Sequence, residues 1–277
     1  MRTDLVCEDF ARENLVEEKI KNNTASISKI VLDSEQAVRY QKKAGTYYTI
    51  YSDAVINIEK VRFDDLYHSI ANIIKEFLVK YKIQKEDPIF ILGLGNLEVT
   101  PDSLGPKVID MLLVTRHLAK MGRLEEDMQN VLALAPGVMA QTGIESVDIC
   151  KAIVDKVKPK MVIVIDALAS RSLERLNQTI QITDTSIRPG SGVGNNRKEF
   201  SKDTLGIPVI CLGVPTVVDI KSYVESLADK FIDKEIDVLP LYEDKIQFMV
   251  TPKEIDQNII DLAHIISDGL NLALHNR

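Results

Sequence analysis

The sequence predicts an α/β fold: a three-layer α/β/α arrangement around a mainly parallel, doubly wound sheet, with an N-terminal extension. Three observations predict it. From about residue 60 onward, short apolar runs rich in β-branched residues alternate with amphipathic stretches, the order that packs helices on both faces of a sheet. The apolar runs are continuous rather than alternating, as strands covered on both faces require. Three of the four best runs end in a loop bearing Gly, Pro or Asp, the residues that punctuate strand-to-helix turns.

Residues 1–60 stand apart from this pattern. A charged, helix-prone opening precedes the run 30–32 and the Tyr/Thr/Ile run 47–51, which suits an antiparallel strand. They read as an extension laid on the main sheet, with 61–277 as the α/β core of a single domain. Within the core, strands are predicted at 88–92, 131–134, 160–165 and 208–212. Helices are predicted at 64–81, 106–121, 146–157, 216–234 and 253–275, each with apolar residues near three- and four-residue spacing. Segment 183–205 is too long and polar for a plain connector and reads as an active-site loop.

Composition removes several classes of function. The 277 residues carry 41 Asp and Glu against 34 Lys and Arg, a net charge of −7, so no basic surplus exists to grip nucleic acid. No apolar run is longer than that at 161–165, far below the ~18 residues of a membrane span. The N-terminus lacks the apolar core of a secretion signal and carries acids where a mitochondrial presequence avoids them, so a cytoplasmic location is expected. Cys7, Cys150 and Cys211 are odd in number and lack C-x-x-C spacing, which fits reduced, buried thiols better than a disulfide framework or zinc site.

Four segments are able to carry chemistry. In residues 89–106, a buried strand runs into a glycine loop and then a helix. Ligands of open α/β sheets bind beyond the carboxyl ends of the strands, where this loop falls. Gly93 and Gly95 let backbone amides approach a ligand, and Asn96 offers a donor and an acceptor. Asp102 lies just before the helix and reads either as a site carboxylate or, with Ser103, as a helix cap. Neither the dinucleotide-binding glycine pattern nor the Walker lysine is present, which weakens a phosphate-cradling reading.

In residues 161–170, Asp166 ends an apolar strand. A buried carboxylate is costly unless paired, hydrogen-bonded or protonated. Asp166 is therefore a site residue or a solvated strand-end acid held by loop amides. Residues 135–145 supply backbone N–H groups and the Gln141 and Thr142 side chains, and read as a cleft wall or as a loop that needs Gly137 and Gly143 for its turns. Residues 213–219 read as structural, with Thr216 capping the next helix and Asp219 in its first turn.

What the chain lacks narrows the chemistry further. His68, His117, His264 and His275 all fall in predicted helices and no H-E-x-x-H occurs, which disfavours a His triad or a zinc protease. There is no G-x-S-x-G elbow, and no cysteine has a His nearby in sequence. Carboxylates remain at the strand ends. Two brought together do not both ionise cheaply, so one keeps a proton near neutral pH and the pair acts as general base and general acid on one water. Such a pair titrates as a unit, so neither role is assigned to Asp102 or Asp166 alone. Loop amides near Gly93, Gly95 and Asn96, or Gly137, Gln141 and Thr142, are the candidate substrate-binding and oxyanion groups.

Seven ordered blocks resemble the germination protease family of spore-forming Firmicutes: residues 2–5, 93–96 with 99–106, 135–145, 165–170, 189–195, 206–210 with 213–219, and 250–256. The likeness runs from end to end. It implies an endopeptidase that degrades the small acid-soluble proteins coating spore DNA, built as an atypical aspartic peptidase on the fold of the hydrogenase-maturation proteases. Asp102 and Asp166 fall on the family's catalytic acids, and no metal or other cofactor is implied. The family is made as a zymogen that cuts after the Asp of Arg-Thr-Asp, here the Asp4–Leu5 bond, which leaves residues 1–4 as propeptide. A homotetramer in the forespore or spore core is implied, without nucleic-acid or membrane partners.

Three other readings stay open. A metal-dependent hydrogenase-maturation peptidase shares the fold and the Gly-Leu-Gly-Asn loop but requires a His ligand, and no His lies in a matching loop. Peptidyl-tRNA hydrolase also carries that loop, and residues 115–118 match its Thr-Arg-His-Asn signature except for the final Asn, but the acidic balance argues against tRNA. A non-enzymatic nucleotide-binding module would use the glycine loops at 93–96 and 190–195.

Overall fold

Ile89 and Ile91 pack into one hydrophobic core, and Phe90 and Leu92 into a second. This is the two-residue alternation of a strand buried on both faces. The computed structural model describes residues 18–21, 25–40, 42–57, 59, 62–190, 197–220, 223–224 and 248–275. Strand β1 (Glu18–Lys21), strand β2 (Ser26–Leu32), helix α1 (Ser34–Arg39) and strand β3 (Gly45–Tyr51) form the N-terminal extension. Helix α2 (Phe63–Lys80) leads to β4 (Ile89–Gly93), a 3-10 turn (Thr100–Asp102), α3 (Leu104–Met111), α4 (Arg116–Lys120) and β5 (Val131–Leu134). Then come α5 (Met139–Thr142), α6 (Ser146–Val157), β6 (Met161–Ser170), β7 (Thr179–Thr183), β8 (Ser186–Ile187), β9 (Phe200–Ser201) and α7 (Lys202–Leu205). Strand β10 (Val209–Asp219), strand β11 (Met249–Val250) and helix α8 (Ile255–His275) complete the described chain.

Among the described residues the main sheet runs β1-β2-β3-β7-β10-β6-β4-β5, with β11 paired to β10. β10, β6, β4 and β5 are parallel, as the sequence predicts for the core. β7 and the extension continue the sheet in antiparallel fashion. Leu66, Ile70 and Phe77 of α2, Leu104 and Val108 of α3, and Ile259 and Leu262 of α8 cover one face. Val147, Cys150 and Val154 of α6 cover the other, which gives the three layers.

The strand order creates a switch point. The chain leaves β4 for β5 on one side, and leaves β6 for β7, which lies beyond β10, on the other. Adjacent connections that diverge open a crevice at the carboxyl ends of the two strands, where open α/β sheets bind ligands.

Three of the predicted elements take a different form or length, each because of a contact with another part of the chain. The helix expected at 106–121 breaks after Met111, because Asn271 of α8 accepts from the Leu113 N–H at 3.0 Å and donates to the Met111 carbonyl at 3.3 Å. Thr115 then accepts from the Val131 N–H at 2.9 Å, which holds the gap to β5. The helix expected from Thr216 is a strand as far as Asp219, where the β-branched Val217 and Val218 extend β10 along β6. Thr216 is therefore no helix cap and Asp219 lies in no first turn; residues 221–222 and 225–234 of that predicted helix lie outside the described residues. The strand expected at 160–165 continues to Ser170 because β10 pairs with it throughout. Cys150 and Cys211 are buried free thiols, and Cys7 lies outside the described residues.

Candidate active site

β4 ends at Gly93, beside Ile165 of β6, and the Leu94 N–H donates to the Ile165 carbonyl at 2.8 Å. Asp166 is the next residue of β6. It has lost its β4 neighbour while remaining paired with Gly213 of β10. Its side chain thus comes to a crevice at the switch point, although the residue is only 4% exposed. One carboxylate oxygen accepts the Ala167 N–H at 3.0 Å.

The loop after β4 brings Asp102 to the same place. The Asn96 N–H donates to the Asp102 carbonyl at 3.1 Å and to its carboxylate at 2.9 Å. Closure this tight requires glycine at 95: its φ is +123°, and a Cβ there would lie 1.8 Å from the Asp102 carbonyl oxygen. Gly93 and Gly105 interlock below it, since a Cβ on Gly93 would stand 2.3 Å from the Gly105 carbonyl oxygen. The glycines of this loop therefore seat α3 and close the chain on Asp102. The capping alternative fails, because Ser103 is the N-cap of α3 and no side chain makes a cap hydrogen bond there.

Asp102 and Asp166 line one cavity of about 310 Å³. Leu94, Val99, Val138, Leu168, Val217 and Met249 supply apolar wall. Burial pushes the Asp102 carboxyl above the ordinary carboxylate range, while the Asn96 N–H bond and the charge of Arg197 pull it back down. Replacing Arg197 with Gln is expected to raise the Asp102 titration further; carboxyl-carbon NMR would read it, and an unmoved or lowered midpoint would refute the coupling.

The remaining sequence candidates divide. Gly95 and Gly137 line the cavity. Gly93 is packed under α3, and the Asn96 N–H is engaged by Asp102, so neither faces the cavity as an amide cradle. The Gln141 side-chain amide donates to the Asn96 side-chain Oδ1 at 2.9 Å, and the Thr142 hydroxyl bonds within its own loop. These groups brace the wall rather than line it. Gly137 and Gly143 have φ of +73° and +72°, so the turn reading of that loop holds beside the cleft reading. Of segment 183–205, Pro189, Gly190 and Arg197 line the cavity, while 191–196 lie outside the described residues, as do Asp4 and Leu5.

Sequence reasoning missed Arg197 and Thr216, which both line the cavity. Arg197 sits in segment 183–205, which the sequence marks as an active-site loop. The signal for Thr216 was the β-branched run that makes its segment a strand.

Among the described residues no group of three or more His, Cys, Asp or Glu side chains is placed to hold a metal ion. No helix there is long and apolar enough to cross a membrane. Fold and cavity define the class: a doubly wound α/β protein whose switch-point cavity is lined by two carboxyl groups.

The family model described as germination protease matches residues 7–237 and 236–277. A germination protease of Geobacillus sp. strain WCH70 is 38% identical over 352 residues, covering 100% of this chain and 94% of that relative. That span exceeds the 277 residues here, so the relative carries segments with no counterpart in this chain. A germination protease of Clostridium perfringens is 39% identical over 288 residues, covering 95% of this chain and 86% of that relative. A solved NiFe hydrogenase maturation protease, HycI from Thermococcus kodakarensis, is 18% identical with a TM-score of 0.35, covering 67% of this chain and 93% of that one. The chain belongs to the germination protease family, and its class of activity is that of a protease.

Proposed function

We propose that this protein is an aspartic-type endopeptidase that begins the breakdown of small acid-soluble spore proteins at germination, with Asp102 and Asp166 as its acid pair. The observation that carries this reading is that both acids line one cavity at the switch point of the sheet. Burial raises the Asp102 carboxyl and so favours the protonated form that a general acid needs.

The reaction balances on that proton. The ionised member takes a proton from water as the water oxygen bonds to the scissile carbonyl carbon, and the carbonyl electron pair moves onto oxygen. The protonated member gives its proton to the amide nitrogen. The oxygen's electron pair re-forms the C=O bond as the C–N bond breaks. A carboxylic acid and an amine leave, and the pair again holds one proton between its two members.

The family resemblance further supports a zymogen cut at Asp4–Leu5, a homotetramer, and a place in the forespore or spore core. Incubation of the purified full-length chain with a small acid-soluble spore protein at mildly acidic pH, after exhaustive chelation, tests this. Substrate cleavage and a new N-terminus at Leu5 are expected. Loss of activity that only a transition metal restores would overturn the aspartic mechanism in favour of the metal-dependent alternative. A persistent Met1 on a fully active enzyme would overturn self-processing.

A further inference from the structure

We infer that the Thr216 hydroxyl is a further catalytic group, donating a hydrogen bond to the scissile carbonyl oxygen as negative charge develops on it. This rests on the aspartic reading above and adds to it a residue that the sequence placed at a helix cap.

Three observations converge on this hydroxyl. Thr216 is 1% exposed, and its Oγ1 has no hydrogen-bond partner among the described residues. A buried hydroxyl left unpaired is unfavourable, and most such groups find a partner. Other buried polar atoms also lack one, on Asn130, Asn177, Thr179 and Asp261 among others, but Thr216 alone of these residues lines the cavity with Asp102 and Asp166. The neighbouring Val217 and Val218 show that the strand accepts the same branched shape without a hydroxyl.

The backbone is irregular at this residue. Along β10 the pairing to β6 runs Pro215 with Leu168 and then Val217 with Ala169, so Thr216 is an extra residue at a register shift. Bulges of this kind re-aim a side chain and are frequent beside active sites. The shift is pinned on both sides: the Asn177 N–H donates to the Pro215 carbonyl at 2.8 Å, and the Thr251 hydroxyl donates to the Thr216 carbonyl at 2.9 Å. The Thr216 side chain is thus held in place by backbone contacts that leave its own donor uncommitted.

Three of the loop N–H donors in the candidate segments are already engaged, which leaves Gly95 and Gly137 as the candidate amides that line the cavity. The Asn96 N–H bonds Asp102, and the Gln141 and Thr142 N–H groups both bond the Val138 carbonyl. A neutral hydroxyl fixed before substrate arrives, in a largely apolar wall, is the kind of group that stabilises developing charge without reorganising.

The test compares Thr216→Val and Thr216→Ser with Asp102→Asn and Asp166→Asn on one spore-protein substrate. Thr216→Val is expected to lower kcat by about 10²–10³-fold with KM and melting temperature little changed, because it removes one oxyanion donor. Thr216→Ser, which keeps the hydroxyl, should restore most of the loss. If Val at 216 impairs folding, Thr216→Ala carries the same comparison. An unchanged kcat in the folded variant, a change confined to KM, or failure of Ser to rescue would each overturn the assignment. Activity surviving in either folded Asp variant would instead defeat the aspartic reading. Two inactive Asp variants beside a fully active Thr216→Val would defeat this inference alone.

Discussion

Asp102→Asn is expected to abolish peptide cleavage while making the protein more stable at neutral pH, and Asp166→Asn to abolish cleavage as well. Asn at 102 keeps the side-chain shape and an oxygen to accept the Asn96 N–H, so the loop closure that bond supports is preserved. What it loses is the proton exchange, worth about 10²–10⁴-fold in rate for a positioned acid or base. The stability gain follows from the direction of the Asp102 shift. Burial raises its folded pKa above the unfolded value, so the folded state binds the proton more tightly. Stability is then lost as pH climbs from the ordinary carboxylate range, about 3.9, through the higher folded midpoint, and the loss is complete above it. The amide carries no such penalty. Its melting temperature should exceed that of the parent chain above that midpoint and converge with it at low pH. Thermal melts across pH and cleavage rates on one substrate check both halves. A folded variant of either acid that keeps about a tenth of parental activity would remove that residue from the chemistry.

The core strands and the candidacy of Asp166 were legible because each rests on local signals, whereas Asp102 read equally well as a helix cap. Continuous apolar runs mark strands buried on two faces, and an Asp closing such a run stands out against the cost of burying charge. Contacts distant in sequence were not legible. The helix break after Met111 depends on Asn271, far along the chain on α8. The strand character of Thr216 depends on pairing with β6, which prolongs β10 past Pro215. The seating of Asp166 follows the same logic: the sequence places it at a strand end, but only the early termination of β4 explains why a residue inside a ten-residue strand meets a cavity. The loop candidates were recognised by composition, which marks Asn96 and Gln141 as polar groups without revealing that each is engaged by a neighbour.

The same distinction sets the second large effect. Gly95→Ala is expected to disable the site and destabilise the fold, whereas Gly143→Ala is expected to be mild, although both glycines have positive φ. At 143 a Cβ meets nothing within 4 Å, so the cost is the left-handed conformation alone, about 1–2 kcal/mol. At 95 the Cβ would stand 1.8 Å from the Asp102 carbonyl oxygen, a backbone atom with no rotamer through which to escape. Relief requires the loop to open, which breaks the two bonds from the Asn96 N–H to Asp102. Opening is resisted from below by the Leu94 bond to Ile165 and by the close packing of Gly93 on Gly105. The strain therefore falls on Asp102, and the combined clash, strained φ and lost bonds should cost about 3 kcal/mol or more. Denaturant midpoints of the two variants, measured beside their cleavage rates, separate steric closure from backbone preference. Equal destabilisation by the two alanines, or an active Gly95→Ala enzyme, would show that the loop does not hold Asp102 in the way its geometry implies.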